Sequence, residues 1–346
     1  MKKRLPFVSI IVDNWNGKHF LGRCFDSVLA QNYPNYELIV IDDASGDGSA
    51  EFIKKNYPQV RLIENKKHVG FAIANNQGIK VARGEYVLLL NNDTKVTKNF
   101  LFPLVDLLEK DSSVAAAQSK ILVMDDPTLL DDVASFLTPF GFLYHIGFWE
   151  KDKKEFNQRR ITFSPKGACF FIRKKVLDKV GLMDDRFYCY FEETDLAWRM
   201  WLAGYQILYE PNSVIYHVIA GSMKKQTSAN RDFLAIKNRL NSLLTNLSLP
   251  SLVMIIPLHL IFLAGFAGFY LIRGRWKNLA AIVRAIFWNL KEAGSTCKKR
   301  SWVQKKVRKV SDWVIFSQIL RIPPKGYYLN FIKIYLTAGD RKLWKK

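Results

Sequence analysis

The chain has 346 residues, 49% hydrophobic and 24% charged, a balance that excludes a disordered chain, a collagen-like repeat and a disulfide-stapled miniprotein. Its formal charge is +21, and the excess is local: from Arg273 to Lys346, 19 Lys and Arg face only Glu292, Asp312 and Asp340, which leaves +5 for everything before. The four cysteines, Cys24, Cys169, Cys189 and Cys297, form no C-x-x-C pair, so neither a zinc site nor a disulfide framework is suggested, and a reducing cytosolic environment is expected.

The apolar run at 7–12 is stopped by Asp13 and Asn14, too soon for a signal-peptide core, and predicts a first strand. Similar runs rich in Val, Ile and Leu predict strands at 36–41, 60–63 and 86–90, and amphipathic spacing predicts helices at 18–31, 49–57, 73–82 and 97–108. Strands that alternate with helices and are apolar on both faces imply a mostly parallel sheet wound βαβ. Ligands of such sheets sit beyond the carboxyl ends of the strands. Asp13-Asn14, Asp42-Asp43 and Asn91-Asn92-Asp93 all stand there. Residues 136–163, aromatic and punctuated by glycine, predict an excursion inside one domain whose role is not readable. A strand at 168–172, a helix at 194–203, strand-like runs at 206–209 and 214–217 and a long helix at 231–247 follow.

No formal charge occurs between Arg239 and Arg273, and residues 249–272 are long enough to span a bilayer. Pro250, Pro257 and His259 interrupt this segment, so a tilted, re-entrant or interface-lying helix competes with a simple span, and a buried core helix competes with both. Beyond it, Trp276, Trp288, Trp302 and Trp313 stand among Lys and Arg. That mixture favours an anionic membrane surface, where each basic residue contributes about 1 kcal/mol. A merely solvated basic face is the plain alternative, and nucleic-acid binding lacks an accompanying fold motif.

Five groups could carry chemistry. Asp42 and Asp43 lead into the glycine-rich turn Ala44-Ser45-Gly46-Asp47-Gly48-Ser49, suited to a base or ribose contact and equally to capping the next helix. Asn91-Asn92-Asp93-Thr94 presents a hard carboxylate that could anchor Mg²⁺ or Mn²⁺ with diphosphate oxygens, or could simply form an Asx turn. His68-Val69-Gly70-Phe71-Ala72, followed by Asn75 and Asn76, offers a helix amino terminus to a phosphate or sugar, although it lacks G-x-G-x-x-G. Glu192, Glu193 and Asp195 crowd a helix start. Such crowding raises the pKa of one member as a general base requires, while pairing of Asp195 with Arg199 explains part of the cluster structurally. His217 ends a strand-like run before Gly221-Ser222, where a lone histidine is more often a structural residue than a ligand. No G-x-S-x-G elbow and no Walker P-loop occur.

In order, Val8-Ser9-Ile10-Ile11-Val12-Asp13-Asn14-Trp15-Asn16-Gly17, the Asp42-to-Ser49 stretch, Gly70-Phe71-Ala72 with Asn75-Asn76, and Gly84 to Thr94 resemble the family-two glycosyltransferases with a GT-A fold, particularly their rhamnosyltransferase-like branch. The likeness continues through Gly167-Ala168-Cys169, the acidic cluster with Trp198-Arg199, His217 and Lys237-Asn238-Arg239, and covers roughly residues 5–245. It implies a Rossmann-like catalytic domain over 1–245, and the apolar and basic composition beyond it predicts a membrane-associating helical region over 246–346. It also implies that Asn14, Asn16, Asp42, Asp43, Gly70, Phe71, Asn75, Asn91, Asn92, Gly167 and Ala168 form the nucleotide-sugar site. Asp93 and His217 would hold Mg²⁺ or Mn²⁺, and the base would be Glu193 or Glu192. The family's D-x-D signature reads Asn91-Asn92-Asp93 here, so a ribose contact would come from an amide, and its Glu-Asp motif reads Glu192-Glu193. Asp13 stands where the branch has an apolar residue.

The expected activity is metal-dependent, inverting transfer of a sugar, rhamnose among the candidates, from a dTDP- or UDP-sugar to a lipid-linked or polysaccharide acceptor on the cytosolic membrane face, in cell-surface glycan synthesis. A polyprenyl-phosphate glycosyltransferase and a non-catalytic membrane-bound protein of the same fold are the alternatives.

Overall fold

A computed structural model describes residues 4–218 and 227–327. Its first half alternates strand and helix: β1 (Val8–Asn14), α1 (Lys18–Leu29), β2 (Tyr36–Asp42), α2 (Ser49–Asn56), β3 (Arg61–Glu64), α3 (Phe71–Val81), β4 (Tyr86–Asn91), β5 (Thr94–Val96) and α4 (Leu101–Lys110). Next come β6 (Val114–Val123), β7 (Leu130–Asp132), β8 (Ala134–Leu137), β9 (Leu143–Ile146), β10 (Arg160–Ile161), β11 (Cys169–Arg173), α5 (Lys174–Val180), α6 (Glu192–Leu202) and β12 (Gln206–His217). Five helices follow: α7 (Ser228–Asn246), α8 (Leu249–Ile272), α9 (Trp276–Lys291), α10 (Ala293–Trp302) and α11 (Asp312–Ile319).

The main sheet runs β10-β12-β6-β11-β4-β1-β2-β3. Strands β3, β2, β1 and β4 pair in parallel, as the βαβ pattern requires. The expected parallel core sits within a mixed sheet: β6 and β12 also pair in parallel, whereas β11 runs antiparallel to both β4 and β6, and the short strands β5, β7 and β10 add further antiparallel pairs. Period-two alternation divides the core between the faces. Ile11, Ile39, Ile41 and Leu89 pack toward α3 and α6, and Ile10, Val12, Val40 and Leu90 pack toward α1 and α4.

Register places the polar strand ends together. In β1 against β2, Asn14 pairs with Asp42, and in β1 against β4, Asp13 pairs with Asn91. The runs at 206–209 and 214–217 are one strand, β12, interrupted by a register shift between Glu210 and Val214. The helix expected at 97–108 starts later, because residues 94–96 form β5, whose antiparallel register sets Thr94 opposite His217. The expected excursion at 136–163 begins inside the β8–β9 hairpin, a separate two-stranded sheet that starts at Ala134.

The carboxyl-terminal helices join the main core, where Ile255, Val303, Val307, Ile315 and Ile319 lie in the same buried cluster as Trp198 and Trp201, and also form a smaller one in which Ile236, Leu263, Tyr270, Ile282 and Ala285 pack with Phe142. Part of the basic excess is structural. Arg300 donates to the carbonyls of Leu244 and Leu247 at 2.6 and 2.7 Å, and Gln304 donates to those of Thr245 and Asn246 at 3.1 and 3.0 Å, satisfying the open carboxyl end of α7. Gly221-Ser222 and the basic residues after position 327 lie outside the described residues.

Candidate active site

At the carboxyl edge of β1 and β2, Asn14 donates to Asp42 Oδ1 at 2.9 Å and to Ser45 Oγ at 3.1 Å, while Asn92 donates to Asn14 Oδ1 at 2.7 Å. Asn16 accepts from the Gly46 amide at 2.7 Å. Gly17 lies against this row so closely that a Cβ there would stand 2.2 Å from Asn92 Nδ2. The amides thus knit together the turns after β1, β2 and β4. Asp43 is consumed locally: it accepts from Asn65 at 2.8 Å and from the amides of Val69 and Gly70 at 3.0 and 2.8 Å, and pairs with His68 at 2.6 Å. It therefore fixes the loop that opens α3.

That loop turns at Gly70, whose φ of +90° and contact with Tyr188, 2.5 Å from where a Cβ would sit, leave no room for a side chain. Phe71 begins α3, and Asn75 and Asn76 are buried on it; Asn75 donates to the Phe71 carbonyl at 2.9 Å and Asn76 to that of Met183 at 2.9 Å. Asp13 faces Asn75. Burial, with Asp43 and Asp93 nearby, pushes the Asp13 carboxyl up to about 7 against the opposing Asn75 hydrogen bond. The Trp15 and His68 rings stack 4.1 Å apart beside Asp43 and leave Trp15 partly exposed, an aromatic wall absent from the sequence reading.

Asp93 and His217 come together because β5 folds back onto β12. His217 Nε2 lies 3.2 Å from Asp93 Oδ1, an ion-pair approach without hydrogen-bond geometry, and that oxygen is buried with no hydrogen bond. The other ring nitrogen, Nδ1, is 2.7 Å from Asp131 Oδ2, and Lys166 pairs with the second oxygen of Asp131. Burial opposes charge on the imidazole, but Asp93 and Asp131 outweigh it and push His217 up to about 9. Against its own burial, Lys166 and His217 hold the Asp131 carboxyl well below the usual range. An orphaned carboxylate oxygen beside an oriented imidazole suits a hard divalent cation that takes its remaining ligands from a diphosphate. Among the described residues no three His, Cys, Asp or Glu side chains form a closed cage.

Before α6, Tyr190 and Phe191 both adopt left-handed backbone, φ +71° and +73°, conformations that cost bulky residues energy and aim the start of that helix. Glu192 is 4% exposed with Oε2 unbonded, and Glu193 is more open, beside Gly167 and Phe71. Burial, and for Glu192 also the neighbouring Glu193, raises both carboxyls above the ordinary glutamate value. Asp195 differs. It is fully buried and accepts from Ser242 and Asn246 at 2.5 and 2.8 Å, with Arg199 at 3.1 Å and Lys299 at 2.9 Å. Against burial, Lys299 and Arg199 hold it down to about 2. Saturated in this way, Asp195 ties α6 to α7 and α10 and has no place for an incoming hydroxyl, which corrects its expected place among the bases.

Asn91 closes β4, where its amide donates to the Ala168 carbonyl at 3.2 Å, so Gly167 and Ala168 line the same rim. Asp131 and Lys166 were not singled out in the sequence. Their one signal is the paired Asp131-Asp132 closing a short apolar run.

The profile of glycosyl transferase family 2 matches residues 9–181. Among curated relatives, poly-β-1,6-N-acetyl-D-glucosamine synthase of Staphylococcus epidermidis is 24% identical over 217 residues, 61% of this chain and 50% of that protein. The chain thus spans about half the length of that relative. Among solved structures, GalNAc-T7 with UDP, GalNAc and Mn²⁺ superposes with a TM-score of 0.59 at 18% identity, covering 94% of this chain and 60% of that one. The mannosyltransferase PcManGT of Pyrobaculum calidifontis, with GDP-Man and Mn²⁺, gives 0.54 at 16% identity, covering 99% and 89%. These likenesses show the GT-A fold.

Proposed function

The chain belongs to glycosyl transferase family 2, and we propose that it transfers a sugar from a nucleotide-diphosphate donor to a glycan or lipid-linked acceptor, inverting the anomeric centre, in cell-surface polysaccharide synthesis. The observation that carries this reading is that Lys166, paired with the Asp131 that holds His217 beside Asp93, also acts electrostatically on Glu193 at the start of α6. Asp42, the Asn14–Asn92 row and Trp15 receive the nucleoside, with Asn91, Phe71, Gly167 and Ala168 along the same groove. Asp93 and His217 would hold Mg²⁺ or Mn²⁺, which supplies positive charge to the leaving diphosphate.

Glu193, the more open of the acidic pair, accepts the proton of the acceptor hydroxyl. Burial, and the charge of Glu193, raise Glu192, and burial raises Glu193, so that Glu193 is a stronger base than an exposed glutamate. Displacement then breaks the sugar–diphosphate bond as the acceptor oxygen forms the new one, in line, and the proton stays on Glu193. The rhamnosyl expectation makes dTDP-rhamnose a natural first donor, with UDP-sugars beside it. Apolar α8 and the basic helices after it would hold the enzyme on the cytosolic face of the membrane, where a lipid-linked acceptor is found.

The test is a donor panel scored for nucleotide-diphosphate release and product formation. Glu193→Gln should keep donor binding and lose transfer by about 10²-fold or more. Full transfer by this variant would move the base to Glu192.

A further inference from the structure

A 24-residue helix is about 36 Å long and could cross a bilayer, yet α8 is fastened to the protein along one side from end to end. Its buried positions, Ser251, Ile255, His259, Leu263 and Tyr270, fall on one stripe. Three of them are polar and tied. Ser251 sits at the start of α8 against Asp312 of α11, to which the Ser248 amide donates at 2.7 Å, His259 Nδ1 lies 2.8 Å from the Phe140 carbonyl, and the Tyr270 hydroxyl donates to Asp232 of α7 at 2.8 Å. A bilayer-crossing α8 would break these ties, or would drag α7, with Asp232 and Lys237, into hydrocarbon beside it.

The opposite side is bare and apolar: Leu249, Val253, Ile261 and Ile272 are 65%, 67%, 69% and 85% exposed. The pattern continues on α9, where Trp276, Val283, Phe287 and Leu290 are exposed at spacings that keep them on one face, with Lys277, Arg284 and Lys291 beside them. Trp313 and Val314 extend it on α11, whose start is joined to α8 through the Ser248 amide and Asp312, 2.7 Å apart. Between Arg273 and Ser311 the sole acid is Glu292. An apolar stripe edged by tryptophan and cationic side chains complements the boundary between anionic headgroups and acyl chains.

We propose that α8, α9 and α11 form a docking surface for an anionic lipid bilayer, on which α8 lies in the plane of one leaflet and does not cross it. This deepens, and rests on, the membrane-associated reading given above. The docked face leads directly to the chemistry. Phe142, in the hairpin turn, packs on His259 of α8 with ring centroids 4.8 Å apart. The Arg239 guanidinium lies 4.4 Å from the Phe142 ring and 5.7 Å from that of Phe191, the residue before Glu192. Three side chains, Phe142, Arg239 and Phe191, therefore connect the buried side of α8 to the start of α6.

The full chain should sediment with phosphatidylglycerol-containing vesicles and at least tenfold less with pure phosphatidylcholine. A Val283→Glu/Phe287→Glu double variant should lose vesicle binding while donor turnover in solution is kept. In a Cys297→Ser background, Leu249→Cys and Ile272→Cys should respond alike to a membrane-impermeant maleimide added outside sealed vesicles. One end reactive only after detergent would establish a span and overturn the proposal. Absence of vesicle binding would also overturn it, and self-association by sedimentation would then identify a second copy as the cover. Donor turnover read in parallel separates these outcomes from failure of the catalytic reading, which would abolish turnover with vesicle binding intact.

Discussion

A histidine that meets a cation with one nitrogen needs its other nitrogen held, and Asp131 holds Nδ1 of His217 at 2.7 Å. Replacing Asp131 by Asn should lower Mn²⁺ affinity about 10–100-fold by titration calorimetry while leaving the fold intact; unchanged affinity would show that His217 is oriented by other means. Asp93 and His217 were legible because each ends a strand-like run. Asp131 was not, because its partners are remote in sequence and its short strand carries little periodicity. Asp43 shows the converse: its place at a strand end made it a candidate ligand contact, and the structure spends both its oxygens on the loop before α3. With Glu193 as the proposed base, its raised pKa has a kinetic consequence. The base must be ionised to accept a proton, so activity should fall on acidification at a pH above the ordinary glutamate value of 4.5. A pH–rate profile with its acid limb at or below that value would remove the desolvated pair from the mechanism.

Elements are joined at Asp195, where α6, α7 and α10 meet on one carboxylate. Removing one partner of such a buried network costs about 3–5 kcal/mol, so Asp195→Ala should lower the urea midpoint strongly. The sign of its pH dependence follows from a depressed folded-state pKa. The contribution is fully present above the unfolded value of 3.8 and is lost as pH falls through about 2. Urea midpoints measured from pH 5 to pH 2 should therefore drop more steeply in the wild type than in Asp195→Ala, and parallel curves would contradict the assignment. The Asp195–Arg199 pairing was legible from its i, i+4 spacing; the contributions of Ser242, Asn246 and Lys299 were not, since they depend on how distant helices pack. The early strands were read closely because their Val/Ile runs are bounded by turn residues. Strand β6 escaped notice since Ala115-Ala116-Ala117 has little β-propensity and becomes a strand only between β11 and β12.

Over the whole molecule, the sequence order of motifs made the α/β architecture legible, whereas the reversed direction of β11 is a matter of topology that local periodicity does not encode. The tail's charge suggested a partner surface, and the structure divides it: Arg300 and Arg308 serve α7 and α11, while Lys277, Arg284 and Lys291 face outward beside the apolar stripe. On the proposed reading, the donor groove draws Asp93 from the turn after β4, His217 from the end of β12 and Glu193 from the start of α6. Calorimetric titration of the nucleotide-sugar donor, with and without Mn²⁺, into wild type and Asp93→Asn tests that arrangement most directly. Metal-dependent donor binding in the wild type, lost by at least tenfold in Asp93→Asn, is the predicted result. Equal binding by both proteins, or binding indifferent to Mn²⁺, would contradict it.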